Sequence, residues 1–279
     1  MATQKGTENP PPNGANISTT AIEIPGVHFD RWWLLVAGIV GIIAVLVVTQ
    51  PDPFRRILVF VGDGIVTTIW VTLVSFILIL ILGLIGGLGR LSRTPIINGI
   101  ATLYVEIIRG IPLLVQLLFW YFAFPAVIQS FGERISYAPF INYRPSDVAM
   151  AILGLTVCYG AYMSEIYRAG IQSIGKGQVE AARSLGMSAT QAMRYIILPQ
   201  AVRVILPPIG NEFISLLKDS SLISVVGVPD LTRRGREFMG RTALPIETWA
   251  LVALIYLVMT TLSARVVNWI EKKTKTQER

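Results

Sequence analysis

The feature that most constrains this chain is a set of five long stretches without Asp, Glu, Lys or Arg, at residues 32–48, 65–88, 110–132, 148–164 and 248–264. A helix needs about 20 apolar residues, each rising 1.5 Å, to cross about 30 Å of hydrocarbon. Apolar residues make up 53% of the chain and charged residues only 15%, whereas soluble domains have about 25% charged residues. The sequence therefore predicts an all-α integral membrane protein.

A sixth stretch, residues 204–228, is apolar but interrupted by two prolines and three ionisable residues, namely Pro207, Pro208, Glu212, Lys218 and Asp219. If it crosses the membrane as one helix, its midpoint is Leu216, and Lys218 and Asp219 lie near the bilayer centre. An ionisable group at that depth is costly and is by default a candidate for function. The sequence predicts six transmembrane helices, the sixth carrying polar chemistry.

The termini are predicted to lie on the cytoplasmic side. Residues 1–27 are rich in Pro, Asn, Thr and Gly and predict a disordered tail, followed by an extra transmembrane helix within residues 28–50. Signal-peptide cleavage after this helix is disfavoured, because residues 49–53 lack small residues. With the N-terminus inside, 14 of the 24 lysines and arginines lie in inner segments and 8 in outer ones. This bias agrees with the positive-inside rule and makes residues 271–279 a cytoplasmic tail.

Most familiar catalytic sites are excluded. The chain has one cysteine, Cys158, and one histidine, His28, too few for a Cys/His zinc cage or a Ser/His/Asp triad. Residues 170–176 have the GxxxxGK spacing of a phosphate loop, but Gly177 follows where magnesium binding needs Ser or Thr. We therefore expect no metal site and no cofactor bound by this chain.

The most informative segment is the long inner loop at residues 178–199, QVEAARSLGMSATQAMRYIILP. Residues 178–185 favour a helix, Gly186 suits a left-handed position after it, and Ser188 and Gln191 have the spacing of a capping box that opens a second helix. Pro199 is predicted to end that helix. A helix-turn-helix that binds DNA is the rival interpretation, and its place between two membrane spans disfavours nucleic acid as a partner.

This loop resembles the EAA loop of binding-protein-dependent ABC transporter permeases, and the residues that match without a gap are Glu180, Ala181, Ala182, Gly186, Leu198 and Pro199. Three other segments resemble the polar amino acid (histidine/glutamine permease-like) branch: EIIRGIP at 106–112, YGAYMSEIYRAG at 159–170 and LKDSSL at 217–222. The resemblance covers residues 60–270. It implies a type I ABC importer permease fold, with a five-helix core and one additional N-terminal helix.

The resemblance also implies function and partners. The chain would be the permease subunit of an importer in the bacterial inner membrane, pairing with a like or sister permease and surrounded by membrane lipid. Two cytoplasmic ATPases, holding ATP and Mg, would dock on the EAA loop, and an extracytoplasmic solute-binding protein would deliver polar amino acids. A secondary transporter or channel that uses Lys218 and Asp219 as a relay is the competing interpretation, and a membrane-embedded enzyme is a third.

Candidate pathway residues follow from the chemistry of a zwitterion. Lys218 can face the solute's carboxylate, and Asp219 or Glu212 its ammonium, with Asn211 and Ser215 as neutral partners. The alternative is that Lys218 and Asp219 neutralise each other, or bond to loop backbone, and never contact the solute. Two weaker candidates, Gln116 and Tyr159, are equally explained by an interhelical hydrogen bond.

Other polar and small residues lead to local predictions. The i, i+3 pairs Glu106/Arg109 and Glu165/Arg168 predict ion pairs, and Gly83 with Gly87 predicts close helix packing, with a subunit interface as one use. A basic cluster in the predicted outer loop runs against the charge bias, and we expect it to dock the binding protein or to meet lipid headgroups. Its members are Arg233, Arg234 and Arg236.

Overall fold

A computed structural model describes residues 31–275, with side chains from 33 to 274, and this part of the chain is helical without any strand. The all-α fold class is thereby confirmed. The predicted tail at residues 1–27 and residues 276–279 lie outside the described residues. The helices are α1 (Arg31–Thr49), α2 (Pro51–Arg90), α3 (Pro95–Gly110), α4 (Leu113–Leu118), α5 (Phe124–Arg134), α6 (Ala138–Ile141), α7 (Asp147–Gln172), α8 (Lys176–Ser184), α9 (Ala189–Ala192), α10 (Leu198–Asp219), α11 (Leu231–Thr242) and α12 (Pro245–Lys275).

Within residues 31–275, four helical segments are long and apolar enough to cross a membrane, and each contains all or most of one predicted stretch. They are Pro51–Arg90, Leu113–Arg134, Asp147–Gln172 and Pro245–Thr274. In the second of them a π-helical turn, Phe119–Ala123, joins α4 to α5 without a break. The remaining predicted stretch, residues 32–48, forms α1, whose apolar part, Trp33–Thr49, is shorter than the other four segments.

The sixth predicted stretch is not one continuous helix. Its first part belongs to α10, which ends at Asp219, and its second part is a 3₁₀-helix, Ser220–Val226, that stops at the left-handed Gly227 (φ 96°). The premise of the midpoint argument, a single helix over residues 204–228, is therefore not met, because Asp219 is the last residue of α10. The depth of Lys218 and Asp219 in the membrane stays a prediction. Pro207 and Pro208 lie within α10 and do not end it.

The first two helices form a hairpin that packs on the C-terminal half of the protein. The chain reverses between Thr49 and Asp52, whose backbone is extended (φ −108°, ψ 112°). This places Ile43, Leu46 and Val47 of α1 against a buried cluster contributed by α2, α11 and α12, which includes Phe54, Ile57, Val61, Leu231, Phe238 and Leu251. The extra N-terminal helix is thus attached to the outer surface of the α2–α12 pair by apolar packing.

The close packing predicted from Gly83 and Gly87 occurs within the chain. Both glycines are buried against α7, where an added Cβ would lie 2.5 Å from Cβ of Met163 and 2.8 Å from Cβ of Tyr167, respectively. The helix pair α2–α7 therefore forms the centre of the fold, and the described structure assigns these glycines to it and not to a subunit interface.

Helix α11 runs antiparallel to the first half of α2. The amide of Leu231 donates to Oγ1 of Thr68 at 3.1 Å, and at the other end Phe238 packs edge-on against the Phe60 ring at 5.5 Å. Between these contacts Gly64 allows the backbone of Asp230 to approach, since a Cβ there would meet the Asp230 carbonyl at 2.9 Å. The predicted outer loop is therefore a helix fixed along α2.

Candidate coupling loop and transport pathway

The turn at Gly186 is closed by backbone hydrogen bonds. Gly186 has φ 78°, and its amide donates to the carbonyl of Arg183 at 2.9 Å, while the amide of Met187 donates to the carbonyl of Ala182 at 3.1 Å. These two bonds are the Schellman motif that ends helices at a left-handed residue. The predicted role of Gly186 is confirmed, and it fixes the angle between α8 and α9.

The second helix begins as predicted but does not end as predicted. The Ser188 amide donates to the side-chain carbonyl of Gln191 at 2.8 Å and the Gln191 amide to the Ser188 hydroxyl at 3.3 Å. The capping box is therefore confirmed. Pro199 does not stop the helix, because a π-helical turn, Met193–Ile197, rearranges the hydrogen bonds just before it and leaves Pro199 in the first turn of α10. In this turn the Leu198 amide donates to the carbonyl of Met193, five residues back, so the chain stays helical through a proline that has no N–H to donate.

Of the two alanines in this segment's EAA motif, only one lies at the surface. Ala182 is only 3% exposed and packs inside the loop, whereas Glu180 and Ala181 are exposed. Apolar side chains that we did not single out from the sequence are also exposed: Leu185 (79%), Tyr195 (61%), Leu198 and Met193. In a short segment bounded by polar residues, such exposure indicates a surface for a protein partner. The EAA spacing locates this surface, but it does not show which side chains point outward.

The end of α10 is tied to α7 by one hydrogen bond. Tyr159, which is buried, donates its hydroxyl to Oδ2 of Asp219 at 2.6 Å. Asp219 is the last residue of α10, and the backbone changes there to the 3₁₀-helix with its three serines, Ser220, Ser221 and Ser224. The structure thus brings two predicted pathway residues together at a discontinuity in a helix, the arrangement in which transporters place solute sites.

Lys218 does not pair with Asp219. It lines a separate cavity of about 310 Å³ together with Ser221, Thr232, Trp249 and Tyr256, and it has no hydrogen bond or ion pair with the side chains that the structure describes. At 100° per residue, Lys218 and Asn211 lie roughly 80–120° around α10 from Glu212 and Asp219. The predicted mutual neutralisation of Lys218 and Asp219 is therefore wrong.

Arg109 is the cation on the Glu212 side. It lies close enough to Glu212 for their charges to interact, as does Asp219, and its guanidinium stacks over the Tyr162 ring at 5.3 Å. The predicted Glu106/Arg109 ion pair is not formed within the described residues, since Arg109 faces the ring. Glu212 is half-buried and has no hydrogen bond there, so its carboxylate is available to a ligand.

Gln116 has a local role at a break between helices. Its amide group donates to the carbonyls of Ile108 at 2.8 Å and Ile111 at 2.9 Å, which lie where α3 gives way to Pro112. Its own Oε1 is buried without a partner. Gln116 therefore donates to backbone carbonyls that the helix break leaves without a helical partner. Of the other pathway candidates, Asn211 and Ser215 lie on α10, and their side chains make no hydrogen bond within the described residues.

Glu165 connects α7 to α2 through ion pairs. It pairs with Arg168 on its own helix, as predicted, and also with Arg90 at the end of α2. All three side chains are largely shielded from solvent, at 15–27% exposure. The second partner could not be inferred from spacing, because Arg90 is distant in sequence. The network fixes α2 against α7 next to the predicted inner loop.

The basic cluster of the predicted outer loop is engaged within the chain. Arg233 pairs with Glu237 at 3.1 Å, and Arg234 pairs with both Glu237 and Asp63 of α2. The bond from Arg234 lowers the pKa of the Glu237 carboxyl below its usual range. Arg236 is exposed and reaches Oγ of Ser224 at 3.4 Å. These carboxylates offset much of the local charge that the sequence left unexplained.

Comparison with known proteins gives a consistent set of similarities. Residues 79–276 match the family described as binding-protein-dependent transport system inner membrane component. The glutamine transport system permease protein GlnP of Escherichia coli (strain K12) is 35% identical over 213 residues, which cover 76% of this chain and 92% of that protein. The arginine transport system permease protein ArgU of Corynebacterium glutamicum is 33% identical over 276 residues, covering 95% of this chain and 86% of that protein.

Solved structures give the same result at the level of the fold. The crystal structure of an amino acid ABC transporter with histidines contains a chain 37% identical to this one, with a TM-score of 0.68, covering 77% of this chain and 94% of that chain. A chain of the inward-facing MetNI methionine ABC transporter is 21% identical with a TM-score of 0.64 and shares the fold.

Proposed function

The chain belongs to the family of binding-protein-dependent transport system inner membrane components, and from that premise we propose that it is the permease subunit of an ATP-driven importer of polar amino acids. The names of its relatives, which include glutamine and arginine permeases, support this substrate class. They also favour an importer over the secondary transporter or channel considered from the sequence.

The observation that carries the proposal is the constrained helix–turn–helix at residues 178–199. A Schellman turn and a capping box hold α8 and α9 at a defined angle, and the π-helical turn continues α9 into α10 without a flexible joint. A force on α8 would therefore be transmitted directly to α10, which carries Glu212 and Asp219. This is the mechanical connection that an importer needs between a cytoplasmic ATPase and its solute pathway.

On this proposal ATP and Mg are bound by two separate ATPase subunits and not by this chain. The exposed residues Glu180, Ala181 and Leu185 of α8 would seat in the ATPase, and Ala182 would support them from within the loop. The second permease, identical or related, and the extracytoplasmic binding protein complete the complex, with both termini of this chain in the cytoplasm. Arg236 is the exposed member of the basic cluster and the best remaining candidate for contact with the binding protein.

The transported amino acid would interact with one side of α10. Its ammonium would approach Glu212 and the Asp219 carboxylate held by Tyr159, and its carboxylate would approach Arg109, which replaces Lys218 in this role. Three observations support this assignment: the charges of Glu212, Asp219 and Arg109 interact, Glu212 lacks a partner, and Lys218 lines another cavity.

The coupling half of the proposal is tested with Leu185→Asp. Introducing a charge into an exposed apolar contact should reduce co-purification of the ATPase and lower solute-stimulated ATP hydrolysis about tenfold or more, as for loss of a buried interface residue. Ser184→Asp is the matched control, since it adds the same charge on the neighbouring exposed residue. Equal stimulation in the two variants would contradict the assignment of this surface.

The pathway half is tested with Glu212→Gln, compared with Glu106→Gln on α3. Loss of the carboxylate at Glu212 should abolish stimulation by the amino acid-loaded binding protein while the complex still assembles. The Glu106 variant should behave as wild type, because that carboxylate is exposed and unpartnered among the described residues. Lys218→Met should keep the solute preference. If Lys218→Met alters that preference and Glu212→Gln does not, the solute lies on the other side of α10.

A further inference from the structure

We propose that this protein has a binding site for the headgroup of an anionic phospholipid, in the cavity between the N-terminal end of α2 and the C-terminal end of α11. The cavity has a volume of about 640 Å³ and is lined by Arg55, Arg56, Arg241, Phe60, Phe238 and Val59. That volume falls within the range of about 300–1,000 Å³ typical of small-molecule sites. It is distinct from the Glu212 side of α10 and from the predicted coupling loop.

The cavity has an excess of positive charge that the protein does not neutralise. None of its lining residues is acidic, and Arg55 has no ion pair with another described residue. Arg56 pairs with Asp52 at 3.1 Å, but both side chains are more than half exposed, and such pairs contribute little. Arg241 stacks over the Phe60 ring at 5.1 Å, which leaves the edge of its guanidinium free to donate.

A comparison along the same helix pair shows that this excess is specific to the cavity. Two turns further along α2, Arg234 is held by Asp63 and Glu237, so the middle of the α2–α11 contact is electrically balanced. Apart from Arg236, which is exposed and reaches Oγ of Ser224, the unbalanced arginines of the α2–α11 contact are those that line the cavity. Guanidinium groups bind phosphate through parallel hydrogen bonds, and their fork geometry makes phosphate the preferred anion.

The hairpin of α1 and α2 places the cavity at the edge of the apolar belt. Val45 and Val48, in the last turns of α1, are 59% and 78% exposed, which indicates contact with lipid in a membrane protein. Arg55 and Arg56 follow Val48 by only seven and eight residues. On this proposal they lie at the depth of the phospholipid headgroups.

The cavity also opens onto a path for an acyl chain. Val59 in its wall is 76% exposed and begins a row of exposed apolar residues at heptad spacing on α2, continued by Val66 and Leu73. Residues seven apart lie on nearly the same face of a helix. A phosphate held by the arginines would thus place its glycerol backbone over Phe60 and Phe238 and direct a chain along this row into the membrane.

This apolar row favours a lipid over an acidic segment of the solute-binding protein. A protein segment would satisfy the arginines but would leave Val59 and the row below it unfilled. A membrane phospholipid satisfies both parts of the surface. The occupant that we propose is therefore an anionic glycerophospholipid, and phosphatidylglycerol is the probe.

The test compares two double variants of the full-length protein purified with its ATPase. Arg55→Gln/Arg241→Gln removes two cavity arginines, and Arg134→Gln/Arg144→Gln removes two exposed arginines elsewhere on the predicted outer side. Native mass spectrometry and thermal unfolding are recorded with added phosphatidylglycerol or with phosphatidylcholine of the same chains. We expect about thirtyfold weaker phosphatidylglycerol binding in the cavity variant, since each of the two arginines contributes roughly 1 kcal/mol near an anionic surface and about 1.4 kcal/mol corresponds to tenfold, and wild-type binding in the control.

Other outcomes overturn the proposal. Equal phosphatidylglycerol binding by the two variants would show that the arginines are not a headgroup site. Equal stabilisation of the wild-type protein by phosphatidylcholine would show that charge is not recognised, and equal stabilisation by glycerol 3-phosphate would show that no chain is engaged. If the cavity variant loses only its association with the solute-binding protein and keeps its lipid binding, the occupant is that protein.

Discussion

Replacing Asp230 with asparagine is expected to stabilise this protein at neutral pH, although Asp230 caps a helix. Asp230 is fully buried before α11, where its carboxylate accepts from the amides of Arg233 at 2.9 Å and Thr232 at 3.2 Å. The hydroxyl of Tyr256 lies 3.4 Å away. Burial raises the pKa of the Asp230 carboxyl to about 6, against the opposing effect of these hydrogen bonds.

The raised pKa of Asp230 gives both the size and the sign of its effect on the free energy of unfolding. A shift from 3.8 to about 6 corresponds to about 3 kcal/mol. The folded protein binds the proton more tightly than the unfolded chain, so this stabilising contribution is complete below pH 3.8 and is lost as the pH rises through about 6. Above that pH the buried charge lowers the free energy of unfolding by about 3 kcal/mol relative to a neutral carboxyl.

Asp230→Asn separates the charge from the cap. Asparagine is also a good helix cap, but it keeps one acceptor oxygen, for the Arg233 amide, and turns its NH2 group toward the Thr232 amide. The variant should therefore unfold at a higher temperature than wild type at pH 7.5, by an amount worth about 1–2 kcal/mol and less than the full effect of about 3 kcal/mol. The difference should shrink steadily between pH 6 and pH 4. Asp230→Ala also removes the acceptor and leaves two amides unpaired, at a cost of about 1–2 kcal/mol relative to the asparagine variant.

The measurement is thermal unfolding in detergent across pH 4–8, with Glu133→Gln as the control. Glu133 is exposed and makes no hydrogen bond or ion pair with its side chain within residues 31–275, so its replacement should leave the pH dependence of unfolding unchanged. A stability difference between wild type and Asp230→Asn that does not vary with pH would refute the argument that burial, and not the lost cap, determines the effect.

Two other substitutions test the backbone features described above. Gly186→Ala should destabilise the turn of the coupling loop by about 1–2 kcal/mol, because Gly186 has a positive φ, and it should also weaken ATPase stimulation. The control Gly177→Ala lies in open space on α8 and should have neither effect. Similar behaviour of the two variants would contradict the role of the turn. Gly87→Ala should lower the free energy of unfolding by about 1–3 kcal/mol through overpacking against Tyr167, as measured by thermal unfolding. The control Gly62→Ala, whose added Cβ meets nothing within 4 Å, should be neutral or stabilising. A greater loss of stability in Gly62→Ala than in Gly87→Ala would refute the packing argument.

The sequence determined the features that depend on residues close together in the chain. Charge-free stretches at residues 65–88 and 148–164 specify apolar helices because each must satisfy its own backbone hydrogen bonds in lipid. Gly186 and the Ser188/Gln191 pair specify the turn of the coupling loop, since a Schellman motif and a capping box involve residues within five positions of one another.

Only the tertiary structure decided how the polar residues are paired. Lys218 and Asp219 are neighbours in sequence, yet helical rotation and the packing of α7 send Asp219 to Tyr159 and Lys218 to another cavity. Arg234 pairs with Asp63, and Glu165 pairs with Arg90, although the partners are far apart in the sequence. The energy of an ion pair or a hydrogen bond depends on distance in space, and spacing along one helix fixes that distance only for residues on the same face.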